Sequence, residues 1–330
     1  MGYENFNHQP NFKPIDHLYE ARLRQFTDTG GQYPSLNLPK FYDINRTEIG
    51  NLQTWKVPDD KEGRTQRPLF RDIKFDEVSW EHIGLGYNFG PSWKTFWVKF
   101  HLDIPQDWLK YEGLEIEWDS SSEALIYDAN GLPLQAFTGG DRNLFEIPDK
   151  FRKTGRQLFY IEVACNGMFG NGADGEPNPN RYFRLNKAHL VVPNLEARRL
   201  FWDFWILGDA AREFPGGWQK YQAADVCTKI MNAFDPENVD SIKECRKLAT
   251  KLLGDKINSE AVFNDYPNKN NKRIDVFGVG NCHIDTAWEW PFAETKRKIV
   301  RSWTTQLKIA DKYPEYVFVA SQMQQFKWLK

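Results

Sequence analysis

Thr95–Asp103 reads TFWVKFHLD, in which Phe96, Val98, Phe100 and Leu102 alternate with a mixed face. That period of two is the pattern of a strand with one side on a core. Working outward, Leu114–Trp118 and Ala124–Tyr127 read as further strands, and Asp128-Ala129-Asn130-Gly131 supplies turn residues that fold the latter back onto Leu132–Phe137. Gln157–Cys165 and Ala188–Val192 extend the series. Short strands at this spacing, without helical periodicity between them, predict an antiparallel β-sandwich of the jelly-roll kind over residues 46–194.

On either side the pattern changes. Residues 1–45 form an N-terminal arm with one short amphipathic helix after Pro14, carrying Leu18, Tyr19, Arg22, Leu23 and Phe26 at helical spacing. Such an arm cannot bury itself alone, so it packs on its own body or on a neighbouring subunit. From Leu195 the period becomes 3.6, with Leu200, Phe201, Trp205 and Leu207 on one helix and Gly216-Gly217 breaking it. Helices over Gln219–Ala233 and Val239–Leu253 follow, giving a helical connector over 195–268, and Asn264–Lys272 (NDYPNKNNK) reads as a linker. Residues 269–330 then run strand (Arg273–Gly280), helix (Glu294–Tyr313), strand (Tyr316–Ala320), helix (Gln322–Leu329). This β-α-β-α order is the start of a parallel α/β layer or barrel, and two parallel strands alone do not make a stable domain, so the chain is expected to be truncated at Lys330.

Composition narrows the function. Lys plus Arg number 43 and Asp plus Glu 45, for a net charge of −2, too balanced for a dedicated nucleic-acid or anionic-membrane binder. Hydrophobic residues make up 41% and aromatics 15%, which excludes a disordered or collagen-like chain. Cys165, Cys227, Cys245 and Cys282 are widely spaced and form no C-x-x-C pair, so they read as reduced thiols of a cytosolic fold. No apolar run is long enough to span a membrane, and MGYENFNHQP has no secretory signal pattern. Neither a P-loop, nor G-x-S-x-G, nor H-E-x-x-H occurs.

The sharpest constellation is Asn281-Cys282-His283-Ile284-Asp285-Thr286-Ala287-Trp288 at the end of a predicted strand. On an extended chain His283 and Asp285 point to one side and Ile284 to the other. An imidazole nitrogen and a carboxylate oxygen together suit zinc, and strand C-terminal ends are where parallel α/β folds place functional groups. The alternative is structural: Asp285 capping a helix that begins at Thr286, and His283 a satisfied core histidine. Trp288 and Trp290 either wall a sugar site or plug a core. Gly170-Asn171-Gly172-Ala173-Asp174-Gly175 matches G-x-G-x-x-G, but Pro177 and Pro179 forbid the helix that dinucleotide binding requires, so it reads as a long loop at one end of the sandwich. Lys296-Arg297-Lys298 with Arg301 reads as a solvated helix face.

GVGNCHIDTAWEWPFAETKRKIVRSW (278–303) and PEYVFVASQMQQFKWLK (314–330) resemble the opening of the catalytic domain of glycoside hydrolase family 38 α-mannosidases, most closely the cytosolic and fungal vacuolar branch. The family pattern H-x-D-x-x-W is met by His283, Asp285 and Trp288, and Trp118–Arg142 resembles the N-terminal β-domain of that branch. The resemblance implies a zinc-dependent, retaining exo-α-mannosidase on an α/β barrel, acting on terminal α-mannose of oligosaccharides. It makes His283 and Asp285 two zinc ligands and Trp288 a wall of the terminal-mannose subsite. The nucleophile, the acid/base and the last His ligand would lie after Lys330, so these 330 residues alone are expected neither to hydrolyse mannosides nor to hold zinc tightly. It further implies cytosolic synthesis, a homo-oligomer, and delivery to the vacuole by a selective-autophagy cargo receptor, with the N-terminal region as an alternative assembly and receptor-binding module. The sandwich also resembles galactose-binding-like modules, which leaves open that it holds sugar itself.

Overall fold

The computed structural model describes residues 16–171, 178–254, 279–314, 316–320 and 322–330. The chain divides into two units, residues 1–45 with 193–272 and residues 46–192 with 273–330.

In the first unit, α2 (Leu195–Glu213), α3 (Trp218–Ala233) and α4 (Ser241–Leu253) pack on one another, and α1 (Asp16–Thr27) packs on α2 and bonds α3 through the Tyr19 hydroxyl to the Ala224 carbonyl. The arm thus packs on the helices of its own chain. Its apolar stripe delivers Leu23 and Phe26 into a core with Leu200, Phe204, Leu207, Ile230 and Ile242. The Phe26 ring lies 4.6 Å from Phe204 and 5.2 Å, edge-on, from Phe234. Asn194 starts α2 by accepting the Ala197 N–H at 3.2 Å, and Gly216-Gly217 separates it from α3. Cys227 and Cys245 sit in this core as free thiols, their pKa values pushed up by burial to about 12 and about 11.

The second unit is built on two antiparallel sheets. In chain order the strands are β1 (Asp43–Glu48), β2 (Leu52–Lys56), β3 (Glu81–Ile83), β4 (Asn88–Phe89), β5 (Thr95–Leu102) and β6 (Glu115–Asp119). There follow β7 (Glu123–Asp128), β8 (Pro133–Phe137), β9 (Leu144–Glu146), β10 (Gln157–Ala164), β11 (Phe183–Arg184) and β12 (Lys187–Pro193). One sheet has the order β1-β12-β6-β9 and the other β3-β2-β5-β10-β7-β8, with β4 and β11 as a separate pair. Phe96, Val98 and Phe100 register against Val163, Ile161 and Phe159. These inward residues meet Ile116, Trp118, Phe145 and Leu190 of the facing sheet in one buried core, as the alternation predicts.

The alternation does not predict the other face. Trp97, Leu125, Tyr127, Ala136 and Tyr160 on the outside of the six-stranded sheet are also buried, packed with Phe70, Phe75, Trp80 and Val300. Val300 belongs to α5 (Phe292–Lys312), which lies along β8. Because β8 ends the sheet, its outer backbone groups need partners, and Thr305 Oγ1 accepts the Ala136 N–H at 3.1 Å.

After this helix the chain continues through β14 (Phe318–Val319) to α6 (Met323–Leu329), and β14 pairs in parallel with β13 (Gly280–Asn281) on the near side of α5. That is the expected β-α-β-α order. Among the described residues these two strands form a two-stranded parallel sheet. The linker Asn264–Lys272 and most of the strand expected over Arg273–Gly280 lie outside the described residues.

Candidate active site

The H-x-D segment follows directly on β13. Ile284 is buried with Trp93, Trp290 and Ile299, while His283 and Asp285 project together from the opposite side. His283 Nε2 and Asp285 Oδ1 are 3.1 Å apart, and both side chains are open to solvent. Neither structural alternative survives. No helix starts at Thr286, since α5 begins at Phe292 with Pro291 as its cap, and His283 is exposed rather than in a core.

Two donor atoms bound to zinc at ordinary lengths and a tetrahedral angle lie about 3.3 Å apart. Nε2 and Oδ1 stand at direct hydrogen-bonding distance from each other, and a pair at this separation also fits two corners of such a site. Nitrogen plus carboxylate oxygen is also a zinc-type donor pair. Among the described residues no group of three or more His, Cys, Asp or Glu side chains gathers to complete it. Cys282, half-buried, is held as a thiol by burial.

One side chain organises the turn that follows. Thr295, fully buried in the first turn of α5, accepts the Ala287 N–H at 2.9 Å and the Trp290 indole N–H at 3.0 Å, and its hydroxyl lies 3.5 Å from the Asp285 carbonyl it donates to. Thr286 Oγ1 donates to Gln322 Oε1 at 2.8 Å, and Gln325 Nε2 donates to the Ile284 carbonyl at 3.2 Å. The two tryptophans differ in burial: Trp288 is 56% exposed, whereas Trp290, at 7%, plugs a core with Trp93, Ile284 and Ile299. Their rings meet edge-to-face at 5.4 Å, so the buried indole props the exposed one.

The basic cluster on α5 corrects the sequence reading. Lys296 is exposed, but Lys298 and Arg301 are buried and Arg297 nearly so. The reason is a set of carboxylates from the sandwich. Glu123 Oε2 accepts from Lys298 Nζ at 2.6 Å and Arg301 Nη2 at 2.9 Å, and Glu162 Oε1 pairs with Arg297 Nη2 at 3.0 Å. Glu294, on α5 itself, pairs with Arg301, with Arg297 at 3.3 Å and with Arg67 at 3.5 Å. Burial alone would raise the Glu294 pKa, but Arg297, Arg301 and Arg67 outweigh it and hold the group at about 2. Burial likewise lowers the Lys298 pKa against the pull of Glu123.

The glycine-rich loop has its own explanation at Gly170; Gly172–Pro177 lie outside the described residues. Gly170 has φ +77°, and a Cβ there would stand 2.0 Å from the Glu289 carbonyl oxygen. The glycine permits the sandwich loop to touch the turn after Asp285. A separate cavity of about 820 Å³ on the sandwich, lined by residues including His101, Asp103, Thr154 and Arg156, contains no Phe, Tyr or Trp for a sugar to stack on.

Sequence reasoning missed Thr295 and the carboxylates Glu123 and Glu162, and it read Gly170 as part of a loop without its contact to Glu289. Glu162 carried a usable signal: a carboxylate inside the run LFYIEVAC requires a buried cation.

Two family models match the chain: the jelly roll domain of α-mannosidase over residues 49–191, and the N-terminal domain of glycosyl hydrolases family 38 over residues 273–330. The second contains the whole H-x-D-x-x-W segment. The chain belongs to glycosyl hydrolase family 38. Among curated family relatives, an α-mannosidase of Saccharomyces cerevisiae is 45% identical, aligned over 100% of this chain and 32% of its own length. α-Mannosidase G of Dictyostelium discoideum is 36% identical over 77% of this chain and 23% of its own. Human α-mannosidase 2C1 is 32% identical over 74% of this chain and 23% of its own. The chain therefore spans about a third or less of the length of these relatives. Among the described residues no helix is long and apolar enough to cross a membrane.

Proposed function

We propose that the chain is part of a zinc-dependent, retaining exo-α-mannosidase that removes terminal α-mannose from oligosaccharides. The observation that carries this reading is the exposed His283–Asp285 pair at 3.1 Å, followed three residues on by the exposed Trp288, in a segment matched by the family 38 model. His283 Nε2 and Asp285 Oδ1 would hold the zinc. When bound, the ion would supply a Lewis acid that grips hydroxyls of the terminal mannose.

The other steps belong to protein groups. Thr295 holds the Asp285 carbonyl, the Ala287 N–H and the Trp290 indole N–H, and Gln325 holds the Ile284 carbonyl, so the backbone that carries Asp285 and follows His283 is pinned. Trp288 offers an indole to the apolar C–H face of the terminal sugar, which orients the ring and excludes water from one side. Cleavage with retention needs a carboxylate nucleophile and an acid/base carboxyl on either side of the glycosidic bond. Glu123, Glu162 and Glu294 are buried and paired with cations, so none is nominated for either role.

The test is hydrolysis of an aryl α-mannoside by the natural full-length protein. Activity that disappears with a chelator and returns with added zinc supports the reading. A protein inactive on every α-mannoside tested overturns it.

A second reading, assembly, rests on a different observation. Trp202 and Trp205 project from α2 with rings 6.0 Å apart, and Phe214, Trp218 and Tyr221 are exposed in the segment that follows. Clustered exposed aromatics such as the Trp202–Trp205 pair mark interaction surfaces. In this reading the first unit joins copies of the chain into a homo-oligomer. The protein is then made in the cytosol and delivered to the vacuole by a cargo receptor for selective autophagy. A monomeric full-length protein in sedimentation would remove the oligomer, and unchanged receptor pull-down after deletion of residues 1–45 would remove the arm's share in receptor binding.

A further inference from the structure

After β10 the sandwich loop reverses at Gly167 and Gly170, which exchange backbone hydrogen bonds of 3.1 and 3.0 Å. This leaves Met168 and Phe169 at the tip. Phe169 is 65% exposed, although a loop tip is ordinarily polar. The tip is anchored from three directions. Lys298 Nζ donates to the Met168 carbonyl at 2.8 Å, and Asn166 Nδ2 donates to Glu123 Oε2 at 2.6 Å and to the Gly167 carbonyl at 3.0 Å. Gly170 rests against the Glu289 backbone with no room for a Cβ.

The anchoring sets the Phe169 ring against Trp288, with centroids 6.3 Å apart and planes at 84°. Trp288 meets Trp290 edge-to-face as well, yet Trp288 and Phe169 remain 56% and 65% exposed, so each ring keeps surface open to a ligand. Trp288 therefore does not stand alone beside His283 and Asp285. It forms a corner with a phenyl ring that arrives from the jelly-roll domain. A single sugar held at the Trp288 face leaves the Phe169 face open, whereas a chain of sugars can cover both.

We propose that Phe169 is a specificity-determining residue that stacks on the apolar face of the sugar next to the terminal mannose, so that the jelly-roll loop makes the site prefer oligomannosides over isolated mannose units. This rests on the mannosidase reading above. The order of the argument is structural: buried ion pairs fix the loop, the loop fixes Phe169, and Phe169 extends an aromatic surface that begins at Trp288.

The experiment uses the full-length protein as wild type, Phe169→Ala and Phe169→Tyr. It measures KM and kcat with an α-linked mannotriose, competitive inhibition by free mannose, and the melting temperature. Phe169→Ala should raise KM for mannotriose about fivefold, the scale of one aromatic contact, with kcat changed less than about twofold. Inhibition by mannose and the melting temperature should not move, and Phe169→Tyr should restore KM. An unchanged KM for mannotriose overturns the proposal. So does a rise in KM that is matched by weaker mannose inhibition and a lower melting temperature, since that pattern means the ring packs under other parts of the protein. Inactivity of the wild type towards all α-mannosides is a separate failure, because it strikes the mannosidase reading before any variant is compared.

Discussion

Along α5 the charges are inside, with Glu294, Lys298 and Arg301 at 1%, 5% and 3% exposure, whereas along α2 the rings are outside, with Trp202 at 59% and Trp205 at 49%. Each helix reverses the usual rule that apolar groups are buried and charged ones solvated. What separates them is the supply of partners. The α5 cations face Glu123 of β7 and Glu162 of β10, so three buried positive charges meet carboxylates at hydrogen-bond distance. The α2 indoles meet Phe201 and each other, and their remaining surface is open. A helix face is thus read by what covers it. The covered charges fix the sandwich to the segment that carries His283 and Asp285, and the uncovered rings are left to solvent.

Breaking the charged contact should have the largest effect. Arg301→Ala leaves Glu123 and Glu294 short of a cation in a buried site, which costs about 3–5 kcal/mol. Denaturant unfolding followed by tryptophan fluorescence checks this, and a loss below about 1 kcal/mol would mean that water solvates the network.

Acid sharpens the same comparison. The native pKa of Glu294 is about 2, below its ordinary 4.5, so its ionic stabilisation is complete above pH 4.5 and is lost as pH falls through about 2. The expected loss over that window is on the order of 3 kcal/mol, and it should shrink in Arg301→Ala. Unfolding midpoints measured from pH 5 to pH 2 read it directly.

Gly170→Ala tests the loop contact without touching a charge. A methyl group meets the Glu289 carbonyl, and a non-glycine residue is strained at φ +77°, for about 2 kcal/mol in all. A melting temperature equal to that of wild type would place the loop away from the turn.

On α2 the effect on stability should be smallest. Trp202→Ser with Trp205→Ser removes exposed rings and should shift unfolding by less than about 0.5 kcal/mol. Sedimentation of the full-length double variant should nonetheless show a smaller assembly, and unchanged mass would leave the patch without a partner among its own copies.

The inward face of the sandwich was legible in the sequence because alternation reports a face directly: Phe96, Val98 and Phe100 are where the period of two puts them. The outward face was not, because what covers it comes from α5, far along the chain. The same distance hid the fate of Arg297, Lys298 and Arg301. Helical spacing puts them on one face but says nothing of carboxylates such as Glu123, 175 residues upstream of Lys298. At the candidate site, spacing of two was enough to place His283 and Asp285 together. It could not divide Trp288 from Trp290, since the bent segment Thr286–Trp290 has no fixed period. Thr295 left no trace in the sequence, because a threonine that clamps a turn looks like any threonine in the first turn of a helix.

The central claim is that His283 and Asp285 hold a metal ion. It is tested most directly by the zinc content of the purified full-length protein, as wild type, His283→Ala and Asp285→Ala, after dialysis against a weak chelator. Both residues are exposed, so neither variant should unfold. The account predicts about one zinc per chain in the wild type and a large loss in each variant at an unchanged melting temperature. Equal zinc in all three proteins would contradict it and leave His283 and Asp285 as a surface hydrogen-bonded pair.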